Sequence, residues 1–155
     1  MKKWLALIWV LVTVLSLTAC GNSGDTTPGG EQDEPTVATF TVETPYCALA
    51  CPEQWKEQLR IEKIEGDVYT VEFYGTVAEK GEQHLFDLFF GGSTGDLIGT
   101  IDVDGVVHNI YVEAYDLTTD EQWSEAESTA LYAMQDTINV IISHLMTLPQ
   151  FEVVI

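Results

Sequence analysis

Three cysteines and three histidines are among the side chains of this 155-residue chain best able to do chemistry. Cys47 and Cys51 are separated by three residues, a spacing that matches neither the usual redox pair nor the usual zinc pair. In an extended strand their Cα atoms would lie about 13 Å apart, beyond the limit of about 7 Å for a disulfide. A bridge would require a bend at residues 48–50, so a disulfide and two buried free thiols both stay open.

The histidines show no spacing typical of a metal site. His84, His108 and His144 lie in three different predicted elements. His108 falls on the apolar face of a predicted hairpin, which favours a core histidine over a metal ligand. We therefore predict no metal-binding residue and no cofactor.

Two short motifs resemble ligand loops but have simpler structural explanations. Asp102-x-Asp104-Gly105 begins like a calcium loop, yet the later acids of a twelve-residue EF-hand are missing, and Asp104-Gly105 is a strong hairpin turn. The glycine-rich residues 91–96 lack the lysine and the following helix of a phosphate-binding loop. No local set of Ser, His and acid appears, so we predict no catalytic residue.

The first residues have the organisation of a secretory signal. Lys2 and Lys3 precede an uncharged, mainly apolar run of 14 residues, from Trp4 to Leu17. As a helix this run would reach about 21 Å, which is short of the hydrocarbon core of about 30 Å. Small residues follow it, as they do at a cleavage site.

Leu17-Thr18-Ala19-Cys20 closes this segment and resembles the lipobox of bacterial lipoproteins. The resemblance implies that the Cys20 thiol receives a diacylglycerol, that signal peptidase II cuts before it, and that the new amino group is often acylated. It therefore implies a signal peptide at residues 1–19 and a partner in the membrane itself, reached through the lipid on Cys20. Two or more acyl chains give a stable anchor, whereas one gives only marginal binding. Outside the cytoplasm, the even number of remaining cysteines also favours a disulfide between Cys47 and Cys51.

Residues 20–36 form a spacer, and the chain as a whole is strongly acidic. The spacer has no aliphatic or aromatic side chain beyond Cys20 and contains four glycines, two prolines and four acids, which predicts a flexible linker. Without Lys2 and Lys3, four basic residues face 25 acidic ones, a formal charge of −21. Such a chain repels nucleic acid and anionic lipid.

Residues 37–155 are long enough for one domain. Alternation and turn signals predict strands at residues 36–42, 67–78, 84–90, 97–103 and 106–113, with a short edge strand within 151–155. Helical spacing predicts a short helix at 52–59, with Trp55 inward, and a long helix from about 120 to 146. The predicted fold class is α+β, an antiparallel β-sheet packed against a short N-terminal helix and a long C-terminal helix.

Pro52 and Trp55 resemble the Pro-x-x-Trp helix start of the PsbP/Mog1-like fold, and the predicted order of elements is also similar. The same layout resembles uncharacterised lipoproteins of Gram-positive bacteria. Because PsbP-like folds serve mainly in binding and assembly, the resemblance implies a non-catalytic module. We expect a lipoprotein anchored on the extracytoplasmic face of a bacterial cell membrane, with an unknown protein or cell-envelope ligand. The alternatives are a cell-envelope enzyme that uses acidic residues and a weak divalent-cation binder.

Overall fold

A computed structural model describes residues 37–119 and 121–154, and these belong to one compact unit. The predicted signal peptide, Cys20 and the spacer lie outside the described residues. The strands are β1 Thr39–Glu43, β2 Ala48–Pro52, β3 Leu59–Ile64, β4 Tyr69–Thr76, β5 Glu82–Phe90, β6 Asp96–Val103, β7 Val106–Ala114 and β8 Phe151–Val153. The helices are α1 Glu125–Gln135 and α2 Thr137–Leu145, and short 3-10 turns occupy Glu53–Trp55 and Ala78–Lys80.

The strands form two antiparallel sheets. β1 and β2 make a two-stranded sheet, and the other six strands follow the order β3-β4-β5-β7-β6-β8. Alternate residues of β4 are buried, so the large sheet has an inner face and an outer face. Inner side chains such as Val71, Phe73 and Ile101 share one apolar core with Leu131 of α1 and Ile141 of α2. The helices therefore cover the inner face.

The β6–β7 hairpin confirms most of the predicted register. Val103 pairs with Val106, Ile101 with His108, and Gly99 with Ile110, as expected. Asp104 and Gly105 both have positive φ, which the tight hairpin turn requires. The pairing of Leu97 with Val112 is wrong, because an irregularity between Leu97 and Gly99 shifts the register by one. Leu97 consequently pairs with Tyr111, on the outer face.

The predicted fold class is wrong. The structure is mostly β, with 45% of the described residues in strands that form two sheets, and these residues contain no N-terminal α-helix. Only the 3-10 turn Glu53–Trp55 stands where the helix at 52–59 was predicted. The PsbP/Mog1-like arrangement, which needs that helix, is therefore not the fold of this chain.

Pairing with neighbouring strands explains why the N-terminal helix does not form. Residues 48–52 pair with β1, and residues 59–64 pair with β4. These two strands leave only six residues between them, too few for a stable helix. β3 does carry the signal of a strand, since Leu59 and Ile61 alternate with Arg60 and Glu62.

The C-terminal helical segment begins later than predicted and is interrupted. Ser124 and Glu127 form the capping box that starts α1, instead of Thr119 and Gln122. Asp136 separates α1 from α2 within a 21-residue helical segment. Ile101 and Ile110 are fully buried, as predicted, with Trp55 and Ile138 partly buried against the same core.

Candidate functional site

The outer face of the large sheet gathers most of the polar and aromatic side chains of interest. Strand register arranges them in three parallel rows that run across the strands. We call them the aromatic stack (Arg60, Tyr74, His84 and Tyr115), the acidic row (Glu62, Glu72, Asp87 and Glu113) and the apolar row (Ile64, Thr70, Phe89, Tyr111 and Leu97). Since the described helices pack on the inner face, none of them lies over these rows.

The aromatic stack is a continuous column of planar groups. The guanidinium of Arg60 lies 3.9 Å from the ring centroid of Tyr74. The Tyr74 and His84 rings stack at 4.3 Å, and His84 stacks on Tyr115 at 4.1 Å. Cation–π and ring contacts each favour this arrangement. The column fixes the orientation of the His84 ring, because an aromatic ring covers each of its faces.

Asp87 is the buried centre of the site. It is only 4% exposed, and its two oxygens have different partners. Oδ1 lies 2.6 Å from Nε2 of His84, and Oδ2 accepts a hydrogen bond of 2.7 Å from the Tyr115 hydroxyl. The pKa of Tyr115 is raised well above its usual value, mainly by burial and secondly by the hydrogen bond to Asp87. The carboxylate therefore holds a ring of the aromatic stack in place, with a phenol that stays protonated.

The other acidic side chains differ in how far hydrogen bonds and ion pairs balance their negative charge. Glu72 accepts a hydrogen bond of 2.5 Å from Tyr74, and this bond is the main reason that the pKa of Tyr74 rises to about 12. Glu62 pairs with Arg60, which also binds both oxygens of Glu82 at 2.6 Å. Glu113 has neither a hydrogen bond nor an ion pair within the described part of the chain.

Carboxylates in directly opposed positions make the acidic row electrostatically costly. Glu62 faces Glu72, Glu72 faces Asp87, and Asp87 in turn faces Glu113. Like charges that face each other across strands destabilise a sheet. The row therefore concentrates negative potential in a band about 15 Å long, given a strand spacing of about 4.8 Å.

The apolar row runs beside the acidic row and is partly open to solvent. Phe89 and Tyr111 form its centre and pair across β5 and β7. Ile64 and Leu97, at its two ends, are 44% and 37% exposed. Aromatic side chains that stay half-exposed on a rigid sheet are typical of binding surfaces.

Cys47 and Cys51, the two residues considered for a disulfide, lie away from the outer face and are free thiols. Cys51 is in β2, and residues 48–52 are extended, so the bend that a bridge to Cys47 needs is absent from this strand. Burial is the main cause that raises the pKa of Cys47 to about 11 and that of Cys51 to about 12. Thiols this hard to ionise are poor nucleophiles and poor metal ligands.

The three histidines do not come together. His84 is in the aromatic stack, His144 is near the end of α2, and His108 is half-buried in β7 with its ring 4.8 Å from that of Tyr46. Within residues 37–119 and 121–154, no group of three His, Cys, Asp or Glu side chains has the geometry to hold a metal ion.

The two loop motifs have the structural roles that their sequences indicate. Asp102 accepts a hydrogen bond of 2.7 Å from the backbone of Gly105 and so supports the hairpin turn. The glycine-rich segment joins β5 to β6, with positive φ at Gly91, Gly92 and Gly95. Neither motif adds a side chain to the three rows.

Sequence reasoning missed the acidic row and the aromatic stack. Alternation in the predicted strand at 67–78 does place Glu72 and Tyr74 on one face. Their neighbours come from β3 and β5, and the registers between these strands are not encoded in any short motif.

Cys20 lies outside the described residues, so its predicted lipidation stays a prediction. In the described part of the chain, no helix is both long and apolar enough to cross a membrane.

Comparison of the chain with protein-family models, curated proteins and solved structures finds no match.

Proposed function

We propose that this protein is a non-catalytic binding module, tethered by lipid on Cys20 to the extracytoplasmic face of a bacterial membrane. Its ligand surface is the outer face of the six-stranded sheet. The observation that carries this proposal is the alignment of three rows of chemically distinct side chains on a face that no described helix covers. The lipobox resemblance and the spacer support the tether, because they would hold such a face away from the membrane.

The contacts in the aromatic stack favour binding over catalysis. Nε2 of His84 is occupied by Asp87, and rings of Tyr74 and Tyr115 cover both faces of the imidazole. A side chain held in this way contributes shape and rigidity. Rigid surfaces bind well because little conformational entropy is lost on association.

An enzyme that acts through paired acids is the second candidate, and one observation favours it. Glu72 and Asp87 occupy directly opposed positions, where Cβ atoms lie about 4.5–5.5 Å apart, and retaining glycosidases hold their two carboxyl groups about 5–5.5 Å apart. These carboxylates lie on a sheet face, whereas such enzymes enclose the sugar in a cleft. If the enzyme reading is correct, Glu72→Gln will abolish hydrolysis of purified cell-wall glycan, whereas a binding module releases no sugar in either form.

Changing Cys20→Ala tests the tether. We expect the wild-type chain to be lipid-labelled and recovered with membranes, and its mature N-terminus to be residue 20 in mass spectra. The variant should be neither labelled nor cut at that position. A variant that was still processed before residue 20 and still lipidated would contradict the proposal.

A photoreactive phenylalanine placed at single positions tests the ligand surface. Tyr111 is central in the apolar row, whereas Tyr132 is 49% exposed on α1 and serves as the matched control. In irradiated cells we expect a cross-linked adduct of constant mass at Tyr111 and none at Tyr132. Equal adducts at both positions, or an adduct at Tyr132 alone, would show that the outer face is not the ligand surface.

A further inference from the structure

We infer that the ligand of the outer face is a cationic polypeptide segment, in which basic residues lie over the acidic row and apolar residues lie over the apolar row. This inference rests on the function proposed above and adds the chemistry of the partner.

Charge complementarity is the first reason for a cationic partner. Arg60 is the one Lys or Arg among the side chains of the three rows, and its guanidinium is already bound by Glu62 and Glu82. Glu113 has no hydrogen bond or ion pair within residues 37–119 and 121–154. Residues 37–155 as a whole contain 21 acidic residues and only four Lys or Arg. The negative band across the sheet is therefore left for a ligand to neutralise.

The pairing of the acidic row with the apolar row is the second reason, and it favours a polypeptide over a free cation. The two rows lie two residues apart along each strand, a distance of about 6.6–6.8 Å. An extended segment laid along the rows projects alternate side chains to opposite sides. Alternating basic and apolar residues would then meet Glu113 and Glu72 on one side, and Phe89 and Tyr111 on the other.

Other classes of ligand do not suit both the acidic row and the apolar row. A metal ion would engage only carboxylates, and the described side chains form no group able to hold one. Nucleic acid and anionic lipid carry the same sign of charge as the acidic row and are repelled by it. A basic polypeptide is the class that satisfies both rows.

Binding of a synthetic peptide to the full lipidated chain in zwitterionic micelles tests the inference. The probe is a labelled twelve-residue peptide in which lysine alternates with leucine or threonine, and the comparison peptide has glutamate at every lysine position. By fluorescence anisotropy we expect saturable binding of the lysine peptide only. Affinity should fall as salt rises, because the Debye length shrinks from about 30 Å at 0.01 M to about 10 Å at 0.1 M.

Matched variants separate the outer face from general attraction to an acidic protein. Glu113→Gln should weaken binding about two- to fivefold, the range expected for one partly exposed ion pair. Tyr111→Ser should also weaken it, because the apolar row loses its central ring. Glu125→Gln removes the same charge from the exposed start of α1 and should leave affinity unchanged.

Two results would overturn the inference, and both can be told from failure of the proposed function. One is equal weakening by Glu113→Gln and Glu125→Gln, which would show attraction by net charge alone. The other is absence of binding by the lysine peptide while the photoreactive group at Tyr111 still forms its adduct in cells. In the second case the outer face would still be a ligand surface, with a partner of different chemistry. Loss of the Tyr111 adduct itself would instead refute the proposed function.

Discussion

Removal of the Tyr115 hydroxyl would measure how strongly Asp87 anchors the aromatic stack. In Tyr115→Phe the ring can still stack on His84, at the present 4.1 Å, but Oδ2 of Asp87 loses a hydrogen bond of 2.7 Å. Asp87 is 4% exposed, so water cannot readily replace the lost donor. A hydrogen bond to a charged group contributes about 1.5–3 kcal/mol, and we expect the free energy of unfolding to fall by that amount.

Urea unfolding followed by circular dichroism provides the measurement. The matched control is Tyr132→Phe on the exposed side of α1, which should change stability by less than about 0.5 kcal/mol. In an Asp87→Asn background the effect of Tyr115→Phe should shrink, since the charged acceptor is gone. A loss no larger than that of the control would refute the idea that this hydrogen bond stabilises the outer face.

The same hydroxyl should also govern stability at alkaline pH. Burial and the hydrogen bond to Asp87 raise the pKa of Tyr115 above its usual value of 10.0, so the folded protein keeps a proton that the unfolded chain releases. The stabilisation is complete below pH 10 and is lost as the pH rises beyond it. Tyr115→Phe should therefore lose less stability than wild type as the pH rises from 10 to 12. An unchanged pH profile would contradict this reasoning.

Three further predictions concern the core and the surface. Ile110→Ala should lower the free energy of unfolding by about 2–5 kcal/mol in urea, because Ile110 is fully buried. Asn109→Ala, on the outer face, should lower it by about 1 kcal/mol or less. A larger loss for Asn109→Ala than for Ile110→Ala would show that the two faces are assigned the wrong way round. Thr137→Val should raise the free energy of unfolding by about 1 kcal/mol in urea unfolding, because the buried Thr137 hydroxyl has no hydrogen-bond partner in the described structure; a lower free energy of unfolding would show that it has one. The hydrogen bonds from Arg60 hold the pKa of Glu82 below its usual value of 4.5, so their stabilisation is present above that pH and is lost as the pH falls through the lower pKa of the folded state. Acid unfolding of Glu82→Gln should accordingly depend less on pH.

Local signals explain which parts of the fold could be predicted. The β6–β7 hairpin was predictable because Asp104-Gly105 fixes its turn and the flanking alternation fixes its buried face. The prediction of a helix at 52–59 was wrong. Its local signals were Pro52 at the first position and Trp55 four residues before Leu59. Strand pairing on both sides of this segment overrode them.

The candidate site was harder to predict from the sequence than the hairpin. The acidic row depends on the pairing of Glu62, Glu72, Asp87 and Glu113 across four strands, and β7 pairs with β5 without following it in the chain. Asp87 itself lies three residues after His84 within one strand, where regular alternation would put the two on opposite faces. The irregular register between Phe73 and Tyr74 in the pairing of β4 with β5 brings them to the same face.

The position of β7 between β5 and β6 also determines the order in which the sheet can assemble. β6 and β7 are joined by two residues, so this hairpin can form within microseconds, whereas β7 can pair with β5 only after a loop that contains all of β6 has closed. The hairpin should therefore form first and then dock, as a unit, onto β5. Gly91, Gly92 and Gly95 adopt the left-handed backbone that carries the chain out of β5 and around to the far side of β7. On this pathway, weakening the turn at Asp104-Gly105 slows folding itself, whereas damage to the partner strand β5 mainly speeds unfolding.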